Sequence, residues 1–123
     1  MNVENVVKTL EELYPEKKII QNKDREGNVI EILCVEHMTK GLSEIVCVVD
    51  RTLPHYHKNA TETYEVLRGK LILTKGKEKI LLQVGDHIDI EPKEVHAAEG
   101  QEAWIKITSR PGWSILDHAI VRD

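Results

Sequence analysis

The spacing of hydrophobic residues changes once along the chain, near residue 15. Before that point apolar side chains recur every three or four positions, which predicts one face of a short amphipathic helix. Pro15 ends this pattern, because proline cannot continue a helix. Beyond Pro15 the apolar residues alternate or form short continuous runs, which is typical of β-strands. The apolar face of the helix consists of Val3, Val6, Val7, Leu10 and Leu13.

Short strands with glycine at the corners are typical of an antiparallel barrel or a double-sheet sandwich. Turn sequences such as Arg68-Gly69, Glu99-Gly100 and Pro111-Gly112 separate the apolar runs. No linker or strong internal repeat divides the chain. We therefore expect one mostly β domain over residues 1–123, with the helix in 1–16 and a barrel in 17–123. The predicted strands are 17–21, 29–36, 43–50, 63–67, 70–74, 79–83, 87–90, 103–109 and 114–121.

The composition narrows the class of protein. The 123 residues include 17 basic and 21 acidic ones. Hydrophobic residues make up 41% of the chain, as in a soluble globular protein. The chain contains no phenylalanine, so we expect a core of isoleucine, valine and leucine. The net charge of −4, without a basic stripe or a helix-turn-helix segment, argues against nucleic acid as a partner.

The ends and the cysteines predict a cytoplasmic protein. The charged N-terminal segment does not resemble a signal peptide. No stretch approaches the roughly 18 apolar residues needed to span a bilayer, so we expect no membrane partner. Cys34 and Cys47 each lie inside an apolar run, which favours buried free thiols, although a disulfide is an alternative.

Four residues carry side chains that can bind a metal ion, namely His55, His57, Glu62 and His96. Residues two apart on a strand point to the same side, so His55 and His57 can face one point. Three imidazoles and a carboxylate suit one divalent transition metal ion (Mn, Fe, Co, Ni, Cu or Zn). With six-coordinate geometry, two positions remain for water or substrate. A solvated His-x-His pair is the alternative, and the spacing alone does not decide between them.

The same segment resembles the signatures of the cupin superfamily. His55 and His57 are followed by four residues, then Glu62, six residues and Gly69, as in the first signature. Gly85 and His96 match the second, and the tail 110–118 is similar to that of many small one-domain cupins. The signatures and the residues between them cover about two-fifths of the chain.

The resemblance implies an all-β fold, the antiparallel cupin double-stranded β-helix (jelly roll), with a short N-terminal helix added here. It also implies a metal held by His55, His57, Glu62 and His96. The chain departs from the signatures at positions that shape turns and bind no metal, which argues against close identity with a well-described cupin enzyme. These departures are Val49, Glu91, Lys93 and Gly100.

Several neighbours of these residues are further candidates. Strand alternation puts Tyr64 on the side of Glu62, where it could be a catalytic acid–base group, a hydrogen-bond donor or a core tyrosine. His118 could join the site or a subunit contact, but we favour a surface position. We also favour the surface for His37, His87 and Lys106, although Lys106 would bind anions if its strand face lined the barrel.

The resemblance favours a metal-dependent enzyme acting on a small oxygen-rich substrate. A sugar, a sugar phosphate or a small carboxylic acid fits, with isomerase, dioxygenase or decarboxylase chemistry. The alternative is a non-catalytic module that binds a metal or a small ligand. Few aromatic residues could line a pocket, namely Tyr64, Trp104 and Trp113. Exposed sheet edges favour a homodimer, with strand 17–21 as the segment that crosses over.

Overall fold

The computed structural model describes residues 1–121, which form one helix and ten strands. The helix is shorter than the predicted segment, and Asn2 caps it by accepting a hydrogen bond from the backbone N–H of Asn5 at 3.2 Å. The elements are α1 (Val3–Leu13), β1 (Lys18–Lys23), β2 (Val29–Met38), β3 (Ser43–Arg51), β4 (His55–His57), β5 (Thr61–Arg68), β6 (Leu71–Lys75), β7 (Glu78–Leu82), β8 (His87–Ile90), β9 (His96–Arg110) and β10 (His118–Ile120).

All ten strands belong to one antiparallel sheet that curls around strand β9. This strand pairs with four others: β4 and β6 along its first part, and β3 and β5 on either side of its second part. Strand β9 thus pairs with two strands in succession along each edge, and the sheet curls into a half-barrel around it. The antiparallel all-β architecture with one short N-terminal helix confirms the predicted fold class.

The length of β9 contradicts the predicted turn at Glu99-Gly100. The strand runs through both residues, and its register shifts nearby, opposite Val49 and Arg51 of β3. A Cβ on Gly100 would lie 2.8 Å from Ala103 Cβ and 3.2 Å from the carbonyl oxygen of Val49. The glycine therefore permits a close approach of chain segments rather than a reversal of direction.

Two further differences from the predicted strands concern β4 and β10. His55–His57 forms a short strand of its own, which the apolar pattern did not indicate because two of its three side chains are histidines. The predicted strand 114–121 is reduced to His118–Ile120, since residues 115–117 form a turn.

The inner face of the sheet forms the larger of two cores. It is almost wholly aliphatic, as the lack of phenylalanine predicts, with Tyr64 as its one aromatic member within the described chain. Its fully buried residues include Cys47, Val49, Val66, Leu71, Leu73, Ile90 and Ile105.

The outer face of β2, β3 and β9 is covered by helix α1. Val6 and Leu10 pack against a second cluster that contains Cys34 and Trp104. The two cysteines are therefore buried on opposite faces, and both are free, as predicted. The helix has 11 residues, and no helix in residues 1–121 is long and apolar enough to cross a membrane.

The outer position of Trp104 corrects its assignment as a candidate pocket residue. Its ring packs under α1 and lies 4.6 Å from the guanidinium carbon of Arg68. Lys106, on the same strand face, forms an ion pair with Glu44 at 3.0 Å. This face does not line the barrel, which agrees with the preferred surface position of Lys106.

The helix should contribute to stability through Leu10 and much less through Leu13. Leu10 is fully buried, so we expect Leu10→Ala to lower the free energy of unfolding by about 2–5 kcal/mol. Leu13 is 47% exposed, and Leu13→Ala in the same helix serves as the control. Urea denaturation of both variants measures the difference, and equal losses would contradict the packing described here.

Candidate metal centre

Three strands bring the predicted metal ligands together. His55 and His57 lie on β4, Glu62 on β5 and His96 on β9. One donor atom of each residue lies within 4.8 Å of the donor atoms of the other three, and all four side chains are buried. These residues are called the His-Glu cluster below. A cluster of this kind could hold a metal ion.

Strand pairing explains why the cluster forms. His55 lies directly opposite His96 in the β4–β9 ladder. His57, two residues further along β4, is on the same side of the strand. A short turn over residues 58–60 follows, and Glu62 is the second residue of β5.

Backbone carbonyl groups orient two of the imidazole rings. Nδ1 of His55 lies 2.8 Å from the carbonyl oxygen of Leu53, and Nδ1 of His96 lies 2.9 Å from that of Glu94. A carbonyl oxygen only accepts hydrogen bonds, so each Nδ1 carries the proton. The lone pair of each ring is then on Nε2, as in histidines that bind metals.

The charge state of the cluster suits a cation. Burial alone would raise the pKa of Glu62, but the positive charge that the rings of His57 and His96 carry when protonated, with Nε2 atoms 3.0 and 3.2 Å from its Oε1, lowers it to about 2. Burial, together with the neighbouring His96, lowers the pKa of His55 to about 4. At neutral pH the carboxylate is ionised and His55 is neutral, which are the forms that bind a metal.

Unpartnered buried atoms show that the cluster fits a metal ion. His57 Nε2, His96 Nε2 and Glu62 Oε1 have no hydrogen bond of acceptable geometry, and neither has His57 Nδ1. Buried polar atoms nearly always have partners, so three such atoms facing each other need an explanation. A nitrogen-rich donor set with one carboxylate oxygen suits a divalent transition metal ion rather than Mg²⁺ or Ca²⁺.

His118 lies beside the cluster, so the preferred surface position was wrong. It is the cross-strand partner of His57 in the β4–β10 ladder. Its ring centroid lies 4.9 Å from that of His55 and 5.4 Å from that of His57. The error arose because the predicted strand 114–121 had no visible partner in the sequence.

The remaining histidines lie where the sequence indicated. His37, near the end of β2, and His87, at the start of β8, are both exposed.

Tyr64 lies in the inner core next to the cluster. Its ring centroid is 5.9 Å from that of His96, with the two rings nearly perpendicular. Burial, together with Glu62, raises the pKa of Tyr64 well above its ordinary value. Its hydroxyl therefore stays protonated and can act as a hydrogen-bond donor.

Glu31 is an interior carboxylate that the sequence analysis missed. It lies opposite Val49 of the inner core and on the same strand face as Leu33, which packs against that core. Asn22 donates a hydrogen bond from Nδ2 to its Oε1 at 2.7 Å. Burial raises the pKa of Glu31. The sequence shows that Glu31 alternates with Leu33, but only the pairing of β2 with β3 shows that this side of the strand faces the inner core.

An open cavity of about 690 Å³ lies under the segment 111–117, called the strap below, and none of the four cluster residues lines it. The backbone N–H groups of Gly112 and Trp113 hold the strap against Lys40 and Ser43. Asp117 lines this cavity, and its Oδ2 lies 4.0 Å from Nδ1 of His57. The residues around the cavity include Met38, Lys40, Asn59, Trp113, Leu116 and Asp117.

Comparison with known sequences finds a relative of undescribed function. No protein-family model matches the chain. An uncharacterized protein of Methanocaldococcus jannaschii is 34% identical over 80 residues, which are 61% of this chain. The match spans 64% of that relative, so the chain covers less than two thirds of its length.

Solved structures share the fold at low sequence identity. Pac13 of Streptomyces, described as a nucleoside dehydratase, is 19% identical, with a TM-score of 0.76 over 89% of this chain and 88% of its own. The L-ribose isomerase of Cellulomonas parahominis is 13% identical, with a TM-score of 0.68 over 76% and 70% of the two chains. The iron(II) form of HppE is 18% identical, with a TM-score of 0.65 over 77% and 56%.

The comparisons show the fold, and the structure adds a candidate site. The chain has the double-stranded β-helix fold, as the resemblance predicted. Inside that fold it carries a buried cluster of three histidines and a glutamate that could hold a metal ion.

The raised pKa of Glu31 predicts the effect of pH on stability. A raised pKa means that the ionised carboxylate is less favourable in the folded chain than in the unfolded one. Glu31→Gln should therefore raise the melting temperature at pH 7. This gain should shrink as the pH falls below about 4, where the carboxyl group is protonated in both states. Melting curves of wild type and variant at the two pH values test this, and a gain independent of pH would contradict it.

Proposed function

We propose that this chain is a metal-dependent enzyme acting on a small, oxygen-rich substrate. The observation that carries the proposal is the convergence of three unpartnered buried atoms, Nε2 of His57, Nε2 of His96 and Oε1 of Glu62. His55 completes the proposed ligand set, because its Nδ1 is already engaged by the carbonyl of Leu53. The proposed cofactor is one divalent transition metal ion per chain.

The metal ion and Tyr64 would have different roles in the proposed reaction. When bound, the ion would polarise an oxygen of the substrate, and with four protein ligands it would retain open positions. We propose Tyr64 as a catalytic residue, with its protonated hydroxyl donating a hydrogen bond to the substrate. The support is its place beside His96 and its raised pKa.

The half-buried His118 is a second candidate for contact with the substrate. It lies outside the four proposed ligands but against two of their rings, between the cluster and Trp113, whose ring centroid is 6.0 Å away. Burial, together with His57, lowers the pKa of His118, so it is neutral at pH 7 and can donate or accept a hydrogen bond.

The surroundings of the cluster favour a small polar substrate. The cavity under the strap has a volume of about 690 Å³, within the range of about 300–1,000 Å³ that is usual for ligand pockets, and its lining residue Asp117 lies 4.0 Å from His57. Trp113 is the one tryptophan or tyrosine among its lining residues, which leaves little surface for stacking a large flat molecule. The sugar-related activities in the names of Pac13 and L-ribose isomerase point in the same direction.

We also propose a single domain over residues 1–123, a homodimer and a cytoplasmic location. Within residues 1–121, β1 is an edge strand of the sheet, which supports the dimer because a second copy could protect that edge by pairing. In the structure β1 pairs with β2 of its own chain. A monomeric mass in sedimentation would exclude the dimer.

Two buried free thiols fit a reducing compartment, which supports the proposed cytoplasmic location.

Metal content tests the proposed ligands directly. Protein purified without chelator should carry close to one transition metal ion per chain by elemental analysis. His55→Ala combined with His96→Ala should reduce this to near zero, because two of four ligands are lost. His87→Ala is the matched control, since His87 is exposed on β8. Equal metal content in all three proteins would contradict the site.

Activity separates the enzyme from the alternative of a non-catalytic binding module. Protein reconstituted with Fe, Mn, Co or Zn should convert at least one member of a panel of pentoses, nucleosides and small carboxylic acids. Tyr64→Phe should lower that rate by about 10²–10⁴-fold at unchanged metal content. A metal-loaded protein that binds these compounds without converting any would favour the binding module.

A further inference from the structure

Asp117 joins the strap to the turn between two of the proposed metal ligands. Its side chain accepts hydrogen bonds from the backbone N–H of Asn59 at 2.7 Å and of Ala60 at 3.2 Å. Its carbonyl oxygen accepts a third from the N–H of Lys58 at 2.9 Å. One residue thus satisfies three successive N–H groups in the turn that leads from His57 to Glu62.

Asp117 also lies next to His57, the one histidine of the His-Glu cluster whose ring makes no hydrogen bond to a backbone carbonyl group. His55 and His96 each direct Nδ1 at a backbone oxygen, whereas Nδ1 of His57 is buried and has no hydrogen bond. Oδ2 of Asp117 lies 4.0 Å from this atom. The Asp117 side chain is only 12% exposed, so solvent screens its charge weakly.

We propose that Asp117 is a positioning residue for His57 in the metal centre. Its negative charge favours the tautomer of His57 with the proton on Nδ1, which leaves the lone pair on Nε2 for the metal. A carboxylate near the second nitrogen of an imidazole also makes the ring a better ligand. This inference rests on the proposed metal function of the cluster.

The backbone contacts of Asp117 give it a second effect on the same site. Four residues separate His57 from Glu62, and three of their N–H groups are held by Asp117. Asp117 thereby sets the path of the chain between two proposed ligands. The strap fixes Asp117 in turn, through Gly112 and Trp113.

Substitution by asparagine removes the charge and keeps part of the turn contacts. Asp117→Asn keeps the shape, one side-chain oxygen as acceptor and the backbone bond to Lys58, but it removes the charge near His57 and one of the two side-chain acceptors of the turn. Asp117→Ala removes both. Asp86→Asn is the matched control, because Asp86 also accepts a backbone N–H in a turn, that of Gln83 at 2.8 Å, and it precedes the end of β8 that lies away from Glu62.

The measurement is the dissociation constant for Co²⁺, determined by competition with a chelator and followed by the visible spectrum of bound cobalt. We expect Asp117→Asn to weaken binding by about 10–100-fold and to shift the cobalt spectrum. Asp117→Ala should weaken binding at least as much, and Asp86→Asn should match wild type. Should the alanine variant unfold, the asparagine variant carries the test.

The outcomes distinguish this inference from the proposed function. Wild-type affinity and spectrum in Asp117→Asn would overturn the positioning role and leave the metal centre standing. An equal loss in Asp86→Asn would show a general effect on stability and would also overturn it. A wild-type protein that takes up no cobalt would contradict the proposed function and, with it, this inference.

Discussion

The burial of three imidazoles and a carboxylate inside an aliphatic barrel is the constraint on which the site depends. Removing these groups from water is costly unless each finds a partner. The fold supplies some partners, namely the carbonyls of Leu53 and Glu94 for two histidines. It leaves three atoms that face one another without one. A cation at their centre would satisfy all three at once, so the cluster could hold a metal ion.

The rest of the structure maintains that convergence. Strand β9 carries His96 and pairs with both β4 and β5. This pairing positions His55 and His57 of β4 and Glu62 of β5. Helix α1 covers the outer face, so the sheet is packed on both sides where β2, β3 and β9 lie together. The strap adds Asp117, whose Oδ2 lies 4.0 Å from Nδ1 of His57. Each part of the fold thus has a definite relation to the cluster.

Much of this arrangement could be predicted from the sequence. Alternation along the strands placed His55, His57 and Tyr64 correctly, because side-chain direction is a local property of an extended chain. Strand partners are not local, so the neighbours of His118 and the outer position of Trp104 could not be deduced. The continuation of β9 through Gly100 was missed for a related reason, since glycine is needed there for contacts with distant residues. Glu31 escaped notice because its strand face becomes clear only from its pairing with β3.

The most direct test of the central claim is a crystal structure of the metal-loaded protein with anomalous scattering recorded at the absorption edge of the metal. The account predicts one anomalous peak per chain, at about 2.0–2.2 Å from Nε2 of each of the three histidines and from an oxygen of Glu62. A peak held by other residues, or a loaded crystal with no peak between these four side chains, would contradict it.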